Sequence, residues 1–182
     1  MKKLYTYAVV ALLLFTSCSD DDDPVAVNEE EVITTMIVTL VPSDASTNVT
    51  LKTQDLDGDG PNAPVVTVSG NLKASLTYAG SVKFLNETET PAEDITEEVE
   101  EEDTDHQVFY TVGSPLVMNV VSTNNDSDGN PLGTKFKIDG ISSAGSGKLT
   151  FTLRHEPKKP NTGLADAGGS TDIEATFDIV VE

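Results

Sequence analysis

The chain of 182 residues has one cysteine, no tryptophan and 5% aromatic residues. A single thiol, Cys18, cannot close an internal disulfide, so packing alone has to hold any fold. Beyond the first twenty residues the tyrosines are Tyr78 and Tyr110, too few for the aromatic platforms that sugar sites use. Basic residues are scarce too: 11 Lys and Arg stand against 31 Asp and Glu, a formal charge of −20. That balance argues against nucleic acid or anionic lipid as a partner, because both demand Lys/Arg patches. It favours cations, basic surfaces or plain solubility. There is no nucleophile elbow, HExxH pair, Walker loop or dinucleotide fingerprint, so no enzyme is expected. No apolar run is long enough to span a bilayer either. The longest, near residues 4–15, has about a dozen residues where a span needs roughly 20.

That short run has its own meaning. Lys2 and Lys3 precede it, Thr16 and Ser17 follow it, and the three parts together read as a secretory signal peptide over 1–17. Cys18 comes next, and the stretch FTSC resembles the lipobox of bacterial lipoproteins. The resemblance implies acylation of Cys18 and a lipid anchor in the outer membrane. Ser19 with Asp20 to Asp23 resembles the export tag of Bacteroidota surface lipoproteins, which implies exposure at the cell surface. Loss of residues 1–17 leaves 165 residues, takes two lysines and moves the charge from −20 to −22. Residues 19–31 carry seven acids, Pro24 and no base. Residues 18–31 are therefore expected to be a disordered acidic tether, the thirteen residues 19–31 spanning at most roughly 45 Å.

From Val32 the pattern becomes β, and 32–182 reads as one domain with enough length to bury a core. VITTMIVTLV (32–41) is apolar on both faces, which predicts two-sided burial. Val49, Leu51 and Thr53 alternate inward in 48–54. Further strands are expected at 65–70, 72–78, 81–87, 106–112, 115–122, 132–139, 148–156 and 172–182, the last with Ile173, Ala175, Phe177, Ile179 and Val181 on one face. Short strands separated by Gly, Asn and Asp turns predict an all-β antiparallel sandwich, Ig-like in broad architecture, of eight to ten strands. One segment departs from this rhythm: residues 87–105 hold eleven acids and no base. Thr90 as cap, Pro91, Glu93 and the pair Ile95 and Val99 predict a short helix near 91–102 with one apolar stripe.

Four segments together, DLDGDGPNAP (55–64), LNETETPAEDITEEVEEEDTDHQ (85–107), RHEPKKP (154–160) and AGGSTDIE (167–174), resemble a family of flavobacterial lipoproteins. Its members are commonly named "type 1 periplasmic binding fold superfamily" proteins. The resemblance covers nearly all of the chain after Cys18 and implies a surface lipoprotein with no assigned catalytic residues. The strand–helix alternation of a two-lobed α/β protein is not present here, so the fold expectation remains all-β.

Three constellations offer chemistry. Asp55, Asp57 and Asp59 with Gly60 sixth match the opening of an EF-hand-type calcium loop, although position twelve is Val66 rather than Glu. Asn124, Asp126 and Asp128 offer oxygens at alternate positions, while Asp128-Gly129 is also a hairpin-turn signal. The third set holds both histidines: Asp103, Asp105 and His106, with His155 and Glu156. Two imidazoles with carboxylates suit zinc or a similar metal; two imidazoles alone can bind haem, as in the haem-capturing lipoproteins that this arrangement resembles. Parallel or crossing strands are expected to bring the two histidines together, and an antiparallel, in-register pair to hold them apart. The functional expectation is a surface binding protein for a metal ion or a metal-loaded ligand, serving a TonB-dependent transporter. The alternative is a structural or adhesive module in which the acids keep the surface soluble.

Overall fold

A computed structural model describes residues 31–58 and 60–182. The signal peptide, Cys18, the SDDDD stretch, most of the tether and Asp59 lie outside the described residues. Ten strands and two short helices follow in order: β1 (Thr35–Pro42), β2 (Val49–Gln54), β3 (Val65–Val68), β4 (Tyr78–Asn86), β5 (Glu93–Asp94), α1 (Ile95–Glu101), β6 (His106–Val112), β7 (Asn119–Ser122), β8 (Lys135–Asp139), β9 (Gly145–His155), α2 (Leu164–Ala167) and β10 (Ser170–Val181). They form a seven-stranded sheet in the order β3-β2-β1-β4-β8-β7, with β5 also on β4, and a three-stranded sheet in the order β10-β9-β6. Every strand pair is antiparallel. The sandwich expected from the alternation is what the chain forms.

Alternation explains which faces meet. Val49, Leu51 and Thr53 of β2 are buried, as are Ala175, Phe177, Ile179 and Val181 of β10. Between the sheets Phe151 touches Tyr110, Phe136 and Phe177 at ring-centroid distances of 5.6, 5.4 and 6.1 Å, in tilted and edge-on geometries that aromatic pairs prefer. Gly80 on β4 leaves room for this cluster, since a Cβ there would stand 2.3 Å from the Phe136 ring.

Three local expectations need correction. β1 is fully buried along one face only: Met36, Val38 and Leu40 are in the core, whereas on the other face Thr35 is buried, Ile37 is half-buried and Val41 is 45% exposed. The cause is that a two-sheet sandwich covers each sheet on one side. Residues 72–78 are not a strand up to Tyr78. Leu72 makes a single parallel bridge to Val181, and Ser75 then turns through a positive φ of 66°. That bridge, with Leu72 N–H donating to the Val180 carbonyl and Glu182 N–H to that of Leu72 (both 2.8 Å), ties the segment to the edge of the smaller sheet.

The helix also starts later than expected. Glu93 and Asp94 first pair with Asn86 and Leu85 as β5, so Asp94, not Thr90, caps α1, its Oδ1 accepting from Thr96 N–H at 3.2 Å. Ile95 and Val99 are buried as the stripe requires. Thr96 docks the helix on β4, its hydroxyl accepting from Phe84 N–H at 2.9 Å.

Candidate metal centre

His106 opens β6 and His155 closes β9, and the register makes them direct partners. The expectation that antiparallel pairing separates them is wrong, for a simple reason. In an antiparallel pair the first residue of one strand lies opposite the last residue of the other. Both side chains continue the core-facing ladder of Val108 with Leu153 and Tyr110 with Phe151, so they are drawn into the dry end of the sandwich. His106 is fully buried and His155 is 3% exposed. Their rings meet edge-on with centroids 4.8 Å apart.

Asp172 arrives by a different device. β10 pairs Thr171 with Arg154 and Ile173 with Leu153, which leaves Asp172 as the extra residue of a β-bulge. Strict alternation would point Asp172 away from the core, on the side opposite Ile173. The bulge re-aims it, and its carboxylate stands 3.7 Å from His155 Nδ1 and 3.9 Å from His106 Nε2. Gly169 makes this entry possible. Its φ is +70°, and a Cβ there would lie 2.1 Å from the His155 carbonyl oxygen, so only glycine lets β10 begin so close to the end of β9.

The fourth group is Glu31, just ahead of β1. Composition assigns it to the tether, yet its side chain is packed against both imidazoles, Oε1 3.0 Å from His106 Nε2 and Oε2 3.4 Å from His155 Nδ1. Its side chain is 4% exposed and that of Asp172 is 2% exposed. Among the described residues, Glu31, His106, His155 and Asp172 form a group whose ligand atoms all lie within 4.8 Å of one another. Four ligands about 2.0–2.2 Å from a tetrahedral ion stand about 3.4 Å apart. The imidazole-to-carboxylate contacts, taken over both oxygens of each carboxylate, are 3.0, 3.4, 3.7 and 3.9 Å.

The tautomer of His106 follows from its other nitrogen. Nδ1 lies 3.2 Å from the Glu102 carbonyl, one of the orphan carbonyls at the end of α1. A carbonyl can only accept, so Nδ1 carries a proton and Nε2 is the nitrogen that faces the centre. Neither His106 Nε2 nor Glu31 Oε2 has a hydrogen-bond partner among the described residues, although both are buried. Such atoms ordinarily have one. The field at this end is negative: burial, then Glu31, Glu102 and Glu93, push the Glu98 carboxyl above its ordinary range.

A second buried cluster backs the first. Lys159 extends an almost buried ammonium to the Asp126 carboxylate at 2.9 Å, the Asp103 carbonyl at 2.7 Å and the His106 carbonyl at 2.6 Å. It therefore pins the backbone of His106 from behind. Asp126 Oδ1 also accepts from the N–H groups of Asn130 at 2.7 Å and Asp128 at 3.1 Å. Burial raises the Asp126 carboxyl, and Lys159 with Asn130 more than reverses this, leaving it below its ordinary range.

Of the six residues expected to hold calcium, the five that are described make the following contacts. Asn124 spends its side chain on Thr134, Gly133 and Lys135, Asp128 is exposed, and the cation beside Asp126 is Lys159. Asp55 Oδ1 caps its own turn, accepting from Gly58 N–H at 3.0 Å. Asp57 Oδ2 accepts from the Asn62 amide at 2.6 Å, which holds its carboxyl below the usual range. In the transition-metal set the two histidines converge, but their expected carboxylates do not. Asp103 accepts from Ser127 at 2.9 Å, and Asp105 is exposed and uses its carbonyl to hold Glu156 N–H at 2.6 Å. Glu156 is exposed at a φ of +47°. Proximity along the chain misled: neighbours of a strand residue point to the opposite face, whereas the carboxylates that stand beside the imidazoles come from residues 31 and 172.

The fold and the cluster define an antiparallel sandwich with a buried group of two imidazoles and two carboxylates. Compared with family models, curated proteins and solved structures, the chain finds no match.

Proposed function

We propose that this protein is a non-catalytic binding domain that holds one zinc-class transition-metal ion at Glu31, His106, His155 and Asp172. The observation that carries the reading is the convergence of two imidazoles and two carboxylates with ligand atoms within 4.8 Å of one another, in a buried site where His106 Nε2 and Glu31 Oε2 have no hydrogen-bond partner among the described residues. A divalent ion would neutralise two carboxylates that otherwise share a dry pocket, and it would bind both lone pairs at once. The donor set discriminates among metals. Calcium takes six to eight oxygens at longer distances, and two imidazoles favour zinc or its neighbours. Four protein ligands with little exposure leave no open position for a substrate, which supports binding rather than catalysis. The lipobox-like FTSC, the SDDDD stretch and the family resemblance add the setting: a lipid-anchored protein at the cell surface, capturing metal for a TonB-dependent transporter.

The test is titration of the whole chain with zinc and with calcium, followed by calorimetry and native mass spectrometry. One zinc per chain, no calcium, and loss of zinc in the double variant His106→Ala/His155→Ala are expected. Absence of zinc binding below millimolar concentration overturns the reading and leaves the alternative, a structural or adhesive module whose four buried groups form an ion-paired cluster.

A further inference from the structure

A cleft of about 530 Å³ opens beside the centre. One wall is the lead into β1, Val32 and Ile33; the facing wall is the turn that carries Asp55 and Asp57; Asp172 and Glu174 of β10 also line it. Among the described residues its charged groups are the carboxylates of Asp55, Asp57, Asp172 and Glu174. Asp172 thus belongs both to the cleft and to the buried cluster.

The four candidate ligands are not equally fixed. His106, His155 and Asp172 sit within β6, β9 and β10, whose ladders hold them. Glu31 sits in no strand. Ile33 is half-buried against the core, and the lead is hydrogen-bonded to the sheet at Thr34, whose N–H donates to the Leu85 carbonyl at 3.0 Å and whose carbonyl accepts from Asp55 N–H at 2.7 Å. Val32, between Glu31 and that anchor, is 57% exposed. Swinging Glu31 outward therefore breaks no strand pairing, while moving any of the other three does. Electrostatics gives the motion a direction. A divalent cation bound between Glu31 and Asp172 attracts both carboxylates inward, and its departure removes that attraction in a poorly screened site.

We infer that the metal ion enters from this cleft and that residues 31–33 are a strap that closes over it, Glu31 being the last ligand to bind and the first to leave. The inference rests on the metal-centre reading above. A hydrated divalent cation drawn by Asp55, Asp57 and Glu174 meets Asp172 and the two imidazoles first. Closure of the strap then supplies the fourth ligand, expels the remaining water and buries the ion. Release is the reverse, so the exchange rate of a closed centre is set by a short segment rather than by unfolding of the sandwich.

Hydrogen exchange read by mass spectrometry on the whole chain, with and without zinc, tests the strap. Amides of residues 31–34 are expected to gain protection on zinc addition while those of β1 and β9 change little. Stopped-flow transfer of zinc to a chelator is expected to be at least about 10-fold faster from Glu31→Ala than from the wild type, with zinc still bound through the other three groups. Zinc binding with unchanged exchange at 31–34 overturns the strap and leaves the metal centre standing. Failure of the wild type to bind zinc overturns both. Should Glu31→Ala not fold, the wild-type exchange comparison decides alone.

Discussion

Lys159 occupies the place that sequence alone would give to calcium. Alternating oxygens at 124, 126 and 128 do invite a cation, but the ammonium that answers comes from 33 residues further along the chain, beyond the reach of any local pattern. Breaking a buried ion pair on one side costs about 3–5 kcal/mol, so Lys159→Met should lose about that much in urea unfolding. Acid should act through the same pair. The Asp126 carboxyl is lowered in the folded state, so its contribution is complete above its unfolded value near 3.8 and is lost as the pH falls through the lowered one. Asp126→Asn should therefore differ most from wild type at pH 6, with the gap narrowing below about pH 4, as measured by unfolding across that range. The histidines were legible because they are the only two in the chain. Glu31 was hidden in a run of acids and Asp172 in an alternating strand where its phase looked wrong.

That wrong phase is an element-scale fact. Alternation correctly gave the inward faces of β2 and β10 and the bounds of β6, because each face meets one partner. It could not show the bulge at Asp172, since an extra residue leaves no mark in composition. Deleting Thr171 offers a direct check. Ser170 would still face His155 and Ile173 would still face Leu153, but Asp172 would fall opposite Arg154 and turn outward. Zinc affinity should drop at least about 10-fold while circular dichroism still reports a β-sandwich. The helix teaches a related lesson. Its apolar stripe was visible in Ile95 and Val99, but its start depended on whether Glu93 and Asp94 would be taken by β4, a tertiary competition that local capping rules do not weigh.

For the molecule as a whole, stability rests on one core, with no disulfide available. Phe151 is fully buried and touches rings from both sheets, so Phe151→Ala should cost about 3–5 kcal/mol by urea unfolding. Zinc should work in the opposite sense. At about a hundred times its Kd it adds about 2.7 kcal/mol through linkage, which for a chain of this size corresponds to about 5–10 °C in melting temperature. Calcium at the same concentration should leave the scan unchanged, and differential scanning calorimetry distinguishes the two.

The position of β1 has a mechanical consequence. It is an interior strand, paired antiparallel to β2 on one side and to β4 on the other, and it is the strand that Glu31 leads into. Traction on the chain from its N-terminal end loads β1 lengthwise, so the hydrogen bonds of both ladders share the force together rather than opening one after another. A domain hauled by that end resists as a sheared lap joint does, and the first bonds to feel the pull are those that hold Glu31.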